Sequence, residues 1–412
     1  MERNTPEPLS VGRILCQNSH YRRIFFAQII CQGGDWFTMI PLILLMQQLT
    51  GSGSLGAVLL SVETFVIAGL SLVAGSVIDR FDRRGILILC MFGSSLAVGL
   101  LFLVTSGGTA WFGVGTYALL AVGKSFFTPA VNTVVPDIVE PRGLLAATTG
   151  LGSVWGVMLV VGSSLGGVVS SFASPYVCFG VTFLGYLVAG LMLTRLPKLP
   201  VDGRMAQRPR FSGLTSDVRS VFRVAKRRSS IGSLILAKPG TNIGNGVLAV
   251  FPSIALVLSS DEPALVASLL YAARGVGALT GPMFARWAVR AGLALRTAIF
   301  ISVACFGAAY ALMSFQTLSW LAISLVILAH VGGSATASLS SYGLQVEAPE
   351  DLRGRVFSVD NMFSMLAIGV SQLVAAVLIT VMADRSIILT FGLAVLAYAF
   401  VWRLLGRQTE GK

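Results

Sequence analysis

The 412 residues are 55% hydrophobic and only 12% charged, with a formal net charge of +12. Apolar stretches of about 20 residues, the length that crosses ~30 Å of hydrocarbon, recur along the whole chain, which excludes a water-soluble fold. There is no Walker loop G-x-x-x-x-G-K-[ST] and no His/Cys metal cluster, and His20 and His330 are the only histidines, so ATP-driven, metal-dependent and triad chemistry are excluded. No catalytic residue, metal or cofactor is expected, and the chain is not read as an enzyme.

Residues 1–22 are polar and basic and lack a cleavable apolar core. The first span is therefore expected to act as an uncleaved signal, the mature chain being the whole chain. Twelve transmembrane helices follow, expected at 24–47, 54–78, 85–104, 109–131, 146–170, 175–194, 231–257, 264–285, 297–314, 318–341, 357–382 and 387–405. This is an all-α membrane protein with both termini on one side. Of the 30 Lys and Arg residues, Arg385 alone falls in a loop on the opposite side, and Lys124, Lys238 and Arg274 are counted within spans. The positive-inside rule then makes the side of the termini cytoplasmic, in the cell (inner) membrane. The positive charge is used in topology and contact with anionic lipid, so nucleic acid is not an expected partner. Cys16, Cys31, Cys90, Cys178 and Cys305 stand far apart, without metal-ligand or redox spacing. Forty-five glycines suit close helix packing in lipid.

Between spans two and three, Gly75 to Arg84 read GSVIDRFDRR. Arg80, Arg83 and Arg84 are expected beside lipid head groups, with Asp79 and Asp82 at span ends where helix dipoles and arginines hold them. Residues 195–230 are strongly basic and read as a cytoplasmic linker, in which Phe211, Leu214, Val218, Val221 and Phe222 recur at near-helical spacing. Weak repetition relates the two sides of that linker. GPMFARWAVR at 281–290 occupies the place of GSVIDRFDRR, with Ala285 for the acid, and NTVVPDIVEPRG pairs with LQVEAPEDLRGRV.

The spacing G-x-x-x-D-R-x-x-R-R in its inter-span loop resembles the signature of the major facilitator superfamily. That resemblance implies six-helix halves at 1–194 and 231–412 about the linker 195–230, with a substrate site near the midplane between the halves. It also implies gating by Gly75, Asp79, Arg80, Arg83 and Arg84. GDWFTMIPLILLMQQLTGSGSLGAVL at 34–59, the charged loop, GKSFFTPAVNTVVPDIV at 123–139 and LRGRVFS at 352–358 narrow it. Together they resemble the third drug:proton antiporter family, of the macrolide-efflux and siderophore-exporter type. Gly162, Ser163, Gly166 and Gly167 match the antiporter pattern G-P-x-x-G-G with Ser163 in the place of proline.

A charge at the bilayer centre costs on the order of 3 kcal/mol and is kept where it meets a cavity or partner. The charges read inside spans are Asp35, Glu63, Lys124, Lys238 and Arg274, with His330 beside them, and spans three, six, nine and twelve carry none. Gln28, Gln32 and Asp35 fall at i, i+4 and i+7, as do Lys238, Asn242 and Asn245, so each trio shares a helical face. Ser334, Ser338 and Ser341 continue the face of His330 and read as packing; Tyr271 precedes Arg274 by one turn. A proton-driven exporter needs an acid whose proton affinity changes as its site dries or fills. Asp35 and Glu63 are the candidates, with His330 a relay or a packing residue, and Glu63 alternatively an ion-pair partner of Lys124 or Arg274.

Bases outnumber acids in that set, which favours a neutral, zwitterionic or partly anionic substrate. It would be bound by Gln28, Gln32, Asp35, Trp36, Lys124, Lys238, Asn242, Asn245, Tyr271 and Arg274, with Phe37 and Phe126 as further aromatic contacts. The expected function is export of a small amphiphilic organic molecule by a monomer that also engages protons and membrane lipids, through proton antiport with alternating access. Export of an anionic siderophore, or lysolipid flipping on the same fold, is the alternative.

Overall fold

The computed structural model describes residues 10–78, 81–198, 221–224, 228–259, 261–349 and 353–407. Among them there is no strand. A short helix, Val11–Gln17, begins at Ser10, whose hydroxyl accepts from the Arg13 amide at 3.3 Å. Spans one to six are Ser19–Thr50, Ser54–Ile78, Arg83–Leu100, Ala110–Ile138, Pro141–Phe172 and Pro175–Leu193. Spans eight to twelve are Pro263–Arg290, Leu295–Met313, Ser319–Glu347, Arg353–Leu378 and Asp384–Arg407. Among the described residues 11 helical segments are long and apolar enough to cross a membrane, and span two supplies the apolar stretch Ser54–Leu70.

Local chemistry sets the ends. Asp82 caps span three by accepting from the Arg84 and Gly85 amides, each at 3.2 Å, as its position at a positive helix terminus requires. Proline opens spans five, six and eight, where a missing amide proton leaves no bond unmade. Gly292, with φ of 73°, closes span eight in the left-handed region that C-terminal caps use.

Span seven departs from the single helix expected there. Ser229–Ile235 and Ala237–Asn242 are α-helical, Ile243–Val250 tightens into a 3-10 helix, and Phe251–Leu258 returns to α. Its sequence KPGTNIGNG permits the break, because Pro239 donates no amide bond and the glycines let the Tyr398, Phe306 and Phe391 rings press on the backbone. Several helices also outrun the expected spans. Span four continues to Ile138 and span eight to Arg290, so NTVVPDI and GPMFARWAVR lie inside helices rather than in loops. Helical hydrogen bonding continues where lipid ends, since it satisfies the backbone in either medium.

The outside is apolar: Leu89, Phe172 and Trp320 are 73%, 83% and 65% exposed. Such a surface belongs in lipid. Trp111 and Trp320 open spans four and ten and Trp287 lies near the end of span eight, all exposed, as interfacial tryptophans are.

The chain groups into two compact units, Met1–Leu45 with Val66–Gln207 and Met46–Phe65 with Arg208–Lys412. In the first, span three packs along spans four and six, and Phe102, Tyr176 and Phe179 form an aromatic cluster tied by the Tyr176 hydroxyl to the Val104 carbonyl at 2.6 Å. In the second, span ten packs along eight and nine, and span seven along eleven and twelve. Phe211, Leu214 and Val218 of the linker lie outside the described residues. Val221 is buried, and the Phe222 ring meets Phe363 edge-on at 6.0 Å.

Candidate functional site

Asp35 lies halfway along span one and is 5% exposed. Its Oδ1 accepts from the Tyr117 hydroxyl at 2.8 Å, and its Oδ2 pairs with the Lys124 ammonium. Tyr117 and Lys124 stand two turns apart on span four, so one helical face holds both oxygens of the carboxylate. Gln28 and Gln32, each 4% exposed, continue the Asp35 face, and their Oε1 atoms have no hydrogen-bond donor among the described residues. They are acceptors aimed at nothing the described chain supplies.

The packing of span one fixes this arrangement. A methyl group on Gly166 would meet the Phe37 carbonyl oxygen at 2.9 Å, and one on Gly162 the Gly33 carbonyl oxygen at 2.8 Å. Span five therefore approaches span one along a small-residue pair at i, i+4, the packing device of membrane helices. Across from it, Thr38 donates to the Thr182 hydroxyl at 2.8 Å and Tyr186 to the Cys31 carbonyl at 3.2 Å, clamping span one to span six. The glycines read as part of an antiporter pattern thus have a packing function next to Asp35. Trp36 is buried beside them, and Phe37 and Phe126 are half-buried.

A second polar group lies in the other unit. Lys238 pairs with Asp360 of span eleven, and the Asn242 amide donates to the Ser364 hydroxyl at 2.6 Å and to its carbonyl at 3.1 Å. Ser371 donates to the Asn242 carbonyl at 3.1 Å, and Asn245 lies against Asn242 at 3.4 Å. Asp360 was missing from the sequence-based census of span charges, as was Arg403 near the end of span twelve, which donates to the Thr297 hydroxyl at 3.1 Å. Both sit close to basic span ends, where a charge reads as interfacial, yet Asp360 is 1% exposed. With both counted, the expected spans hold three acids, Asp35, Glu63 and Asp360, and four bases, Lys124, Lys238, Arg274 and Arg403, so bases still outnumber acids by one.

Glu63, Tyr271, Arg274 and His330 gather in a third group. The Arg274 guanidinium interacts electrostatically with Glu63, Tyr271 and Tyr310. Tyr271 donates to the Leu248 carbonyl at 2.7 Å and packs edge-on against Phe251, which ties span eight to the 3-10 segment. His330 Nε2 and the Tyr310 hydroxyl are 2.8 Å apart, with the Phe306 ring against the imidazole. Ser334 donates to the Ala278 carbonyl at 2.8 Å, a packing bond between spans eight and ten.

Of the residues expected to gate, Arg83 pairs with Asp137 at 2.5 Å and Arg84 donates to the Thr194 carbonyl at 2.5 Å, anchoring the start of span three to the ends of spans four and six. Asp79 and Arg80 lie outside the described residues, and Gly75 falls within the span-two helix. Sequence reasoning missed Tyr117, Tyr310, Asp360 and Ser364. Tyr117 could have been found as the residue two turns before Lys124, and Ser364 as one turn after Asp360. No group of three or more His, Cys, Asp and Glu side chains able to hold a metal is present among the described residues.

The family model described as Major Facilitator Superfamily matches residues 24–372. The multidrug efflux pump Tap of Mycobacterium tuberculosis (strain ATCC 25618 / H37Rv) is 24% identical over 352 residues, covering 82% of this chain and 81% of its own. Tap of Mycobacterium bovis (strain BCG / Pasteur 1173P2) matches equally. Among solved structures, the nucleoside transporter NupG superposes with a TM-score of 0.76 at 14% identity, covering 93% of this chain and 98% of that one. The peptide transporter POT gives 0.75 at 13% identity, over 98% and 96%. At such identity these likenesses speak for the fold alone.

Proposed function

The chain belongs to the Major Facilitator Superfamily, as a multi-pass membrane transporter and not an enzyme, and from that premise we propose that it exports small amphiphilic organic molecules by proton antiport. The observation that carries export is the likeness, over most of both chains, to a multidrug efflux pump. Proton coupling is supported by Asp35, a buried carboxylate at mid-span that is paired with Lys124 and accepts a hydrogen bond from the Tyr117 hydroxyl. A buried pair is sensitive to its surroundings, since removing or hydrating one member changes the stability of charge on the other. In this reading a proton and the substrate compete for the Asp35 group, and the unpartnered oxygens of Gln28 and Gln32 accept hydrogen bonds from the substrate. Trp36 and Phe37 supply apolar contact, and Lys238, Asn242, Asn245, Tyr271 and Arg274 contribute from the second unit as the cycle alternates access.

The charged segment Gly75 to Arg84, from the end of span two to the start of span three, is the proposed gate, its anchoring supported by the Arg83 and Arg84 contacts. The membrane is the cell membrane, with both termini cytoplasmic, and the transporter acts as a monomer. The test is reconstitution of the full chain in proteoliposomes with an imposed pH gradient, against ethidium, a macrolide and a siderophore. Concentrative movement of at least one, abolished by collapsing the gradient, is expected. Flux that ignores the gradient sinks the antiport, and lysolipid translocation without solute flux sinks the export reading.

A further inference from the structure

Spans seven and eleven meet along a polar seam: Lys238 with Asp360, Asn242 with Ser364, and Ser371 with the Asn242 carbonyl. On span eleven the three positions fall at i, i+4 and i+11, one helical face. The two oxygens of Asp360 are treated unequally. Oδ2 is held by Lys238, whereas Oδ1 is buried without a hydrogen-bond donor among the described residues. Asp35 differs in this respect, for both of its oxygens are engaged. A carboxylate oxygen buried without a donor carries the full desolvation penalty of its charge, and the condition is uncommon in folded proteins. A seam that served only to join two helices would do as well with neutral side chains, because buried ion pairs are often no more stabilising than the apolar groups that could replace them. The side chain of Lys238 is 15% exposed against 1% for Asp360, so the base is the member with access to an outside group.

We propose that Asp360 is a second proton-carrying site, loaded at Oδ1 when Lys238 turns its ammonium away to another acceptor. The exchange balances. A hydronium ion gives its proton to Oδ1 and is left as water, the Lys238–Asp360 contact opens, Lys238 keeps its own protons, and return of Lys238 drives the proton from Oδ1 back to a water molecule. Of the other ionisable groups on the elements packed against span eleven, Tyr398 donates to the Leu236 carbonyl at 2.6 Å, Arg403 to Thr297, His330 is paired with Tyr310, Glu63 of span two interacts with Arg274, and Tyr342 and Glu347 lie in the last turns of span ten. Among the described residues Lys238 is thus the charge that faces Asp360. The inference rests on the proton-coupled reading above and adds to it an acid in the second unit.

Infrared difference spectroscopy of the purified full chain, titrated with acid alone, tests it. The wild type should gain a protonated-carboxyl C=O band on acidification, and Asp360→Asn should lose one carboxyl's share of that band. Lys238→Gln should show more of the band at neutral pH than the wild type. If either single variant fails to fold, the uncharged pair Asp360→Asn/Lys238→Gln keeps the seam neutral and must lack the same share. A band unchanged in both Asp360→Asn and the double variant overturns the site. Because the band reports protonation without transport, that failure is separable from a failure of the flux assay.

Discussion

Asp35 keeps both oxygens bonded inside a membrane span, one to Tyr117 and one to Lys124. Breaking a buried pair by removing one partner typically costs about 3–5 kcal/mol, whereas removing both charges is far cheaper. Lys124→Gln should therefore lower the unfolding temperature in detergent more than Asp35→Asn/Lys124→Gln does; a double variant as unstable as the single one would show that the pair is not coupled. Asp35→Asn mimics the protonated acid, so it should abolish pH-driven uphill export while downhill exchange continues. Concentrative, pH-dependent export by Asp35→Asn would transfer the coupling role to another acid, Glu63 or Asp360. The polar face of Gln28, Gln32 and Asp35 was legible in the sequence because helical periodicity alone puts them together. Their partners were not, since which residue of span four reaches Asp35 depends on how deeply Gly162 and Gly166 let span five settle against span one.

Span seven shows the same limit for an element. Its apolar length announced a crossing segment, and Pro239 with its neighbouring glycines permitted a break, but membrane helices tolerate such residues when neighbours satisfy the backbone. What imposes the 3-10 turn over Ile243–Val250 is tertiary: the Tyr271 hydroxyl on the Leu248 carbonyl, and the Phe391 ring seated over Gly246. A methyl group at Gly246 would lie 2.6 Å from the Ser371 carbonyl oxygen, on the seam to span eleven, whereas one at Gly115 meets nothing within 4 Å. Overpacking of this kind costs about 1–3 kcal/mol, while Gly to Ala in an open helix position gains up to about 1 kcal/mol. Gly246→Ala should thus lower the thermal midpoint of the purified protein and Gly115→Ala leave it level or raise it. Equal midpoints would mean that the segment relaxes freely and that its tight turn is not enforced by the packing.

At the scale of the whole molecule, the basic residues are distributed as if one membrane face were reserved for them, and the native cysteines offer a direct reading of which face that is. Cys16 is exposed on the short helix ahead of span one, while Cys31, Cys90 and Cys178 are buried and Cys305 is half-buried within span nine. Thiols buried in spans are out of reach of a water-borne maleimide, so the exposed Cys16 should be the reactive one among them. Placing the termini in the cytoplasm follows from lysines and arginines resisting transfer across the membrane, an argument that uses the distribution of charge and not its total. A membrane-impermeant maleimide should then leave intact cells unlabelled and label them once permeabilised, with the signal gone in Cys16→Ser. Ala383 is exposed in the turn between spans eleven and twelve, beside Arg385, so Cys16→Ser/Ala383→Cys should behave in the opposite way and label in intact cells. Labelling of Cys16 from outside, with Ala383→Cys protected, would invert the topology and make the basic surface extracellular. The linker and the charged loop would then lie on the wrong side for contact with the anionic cytoplasmic leaflet, and the gating role proposed for Arg83 and Arg84 would have to be argued for the opposite face.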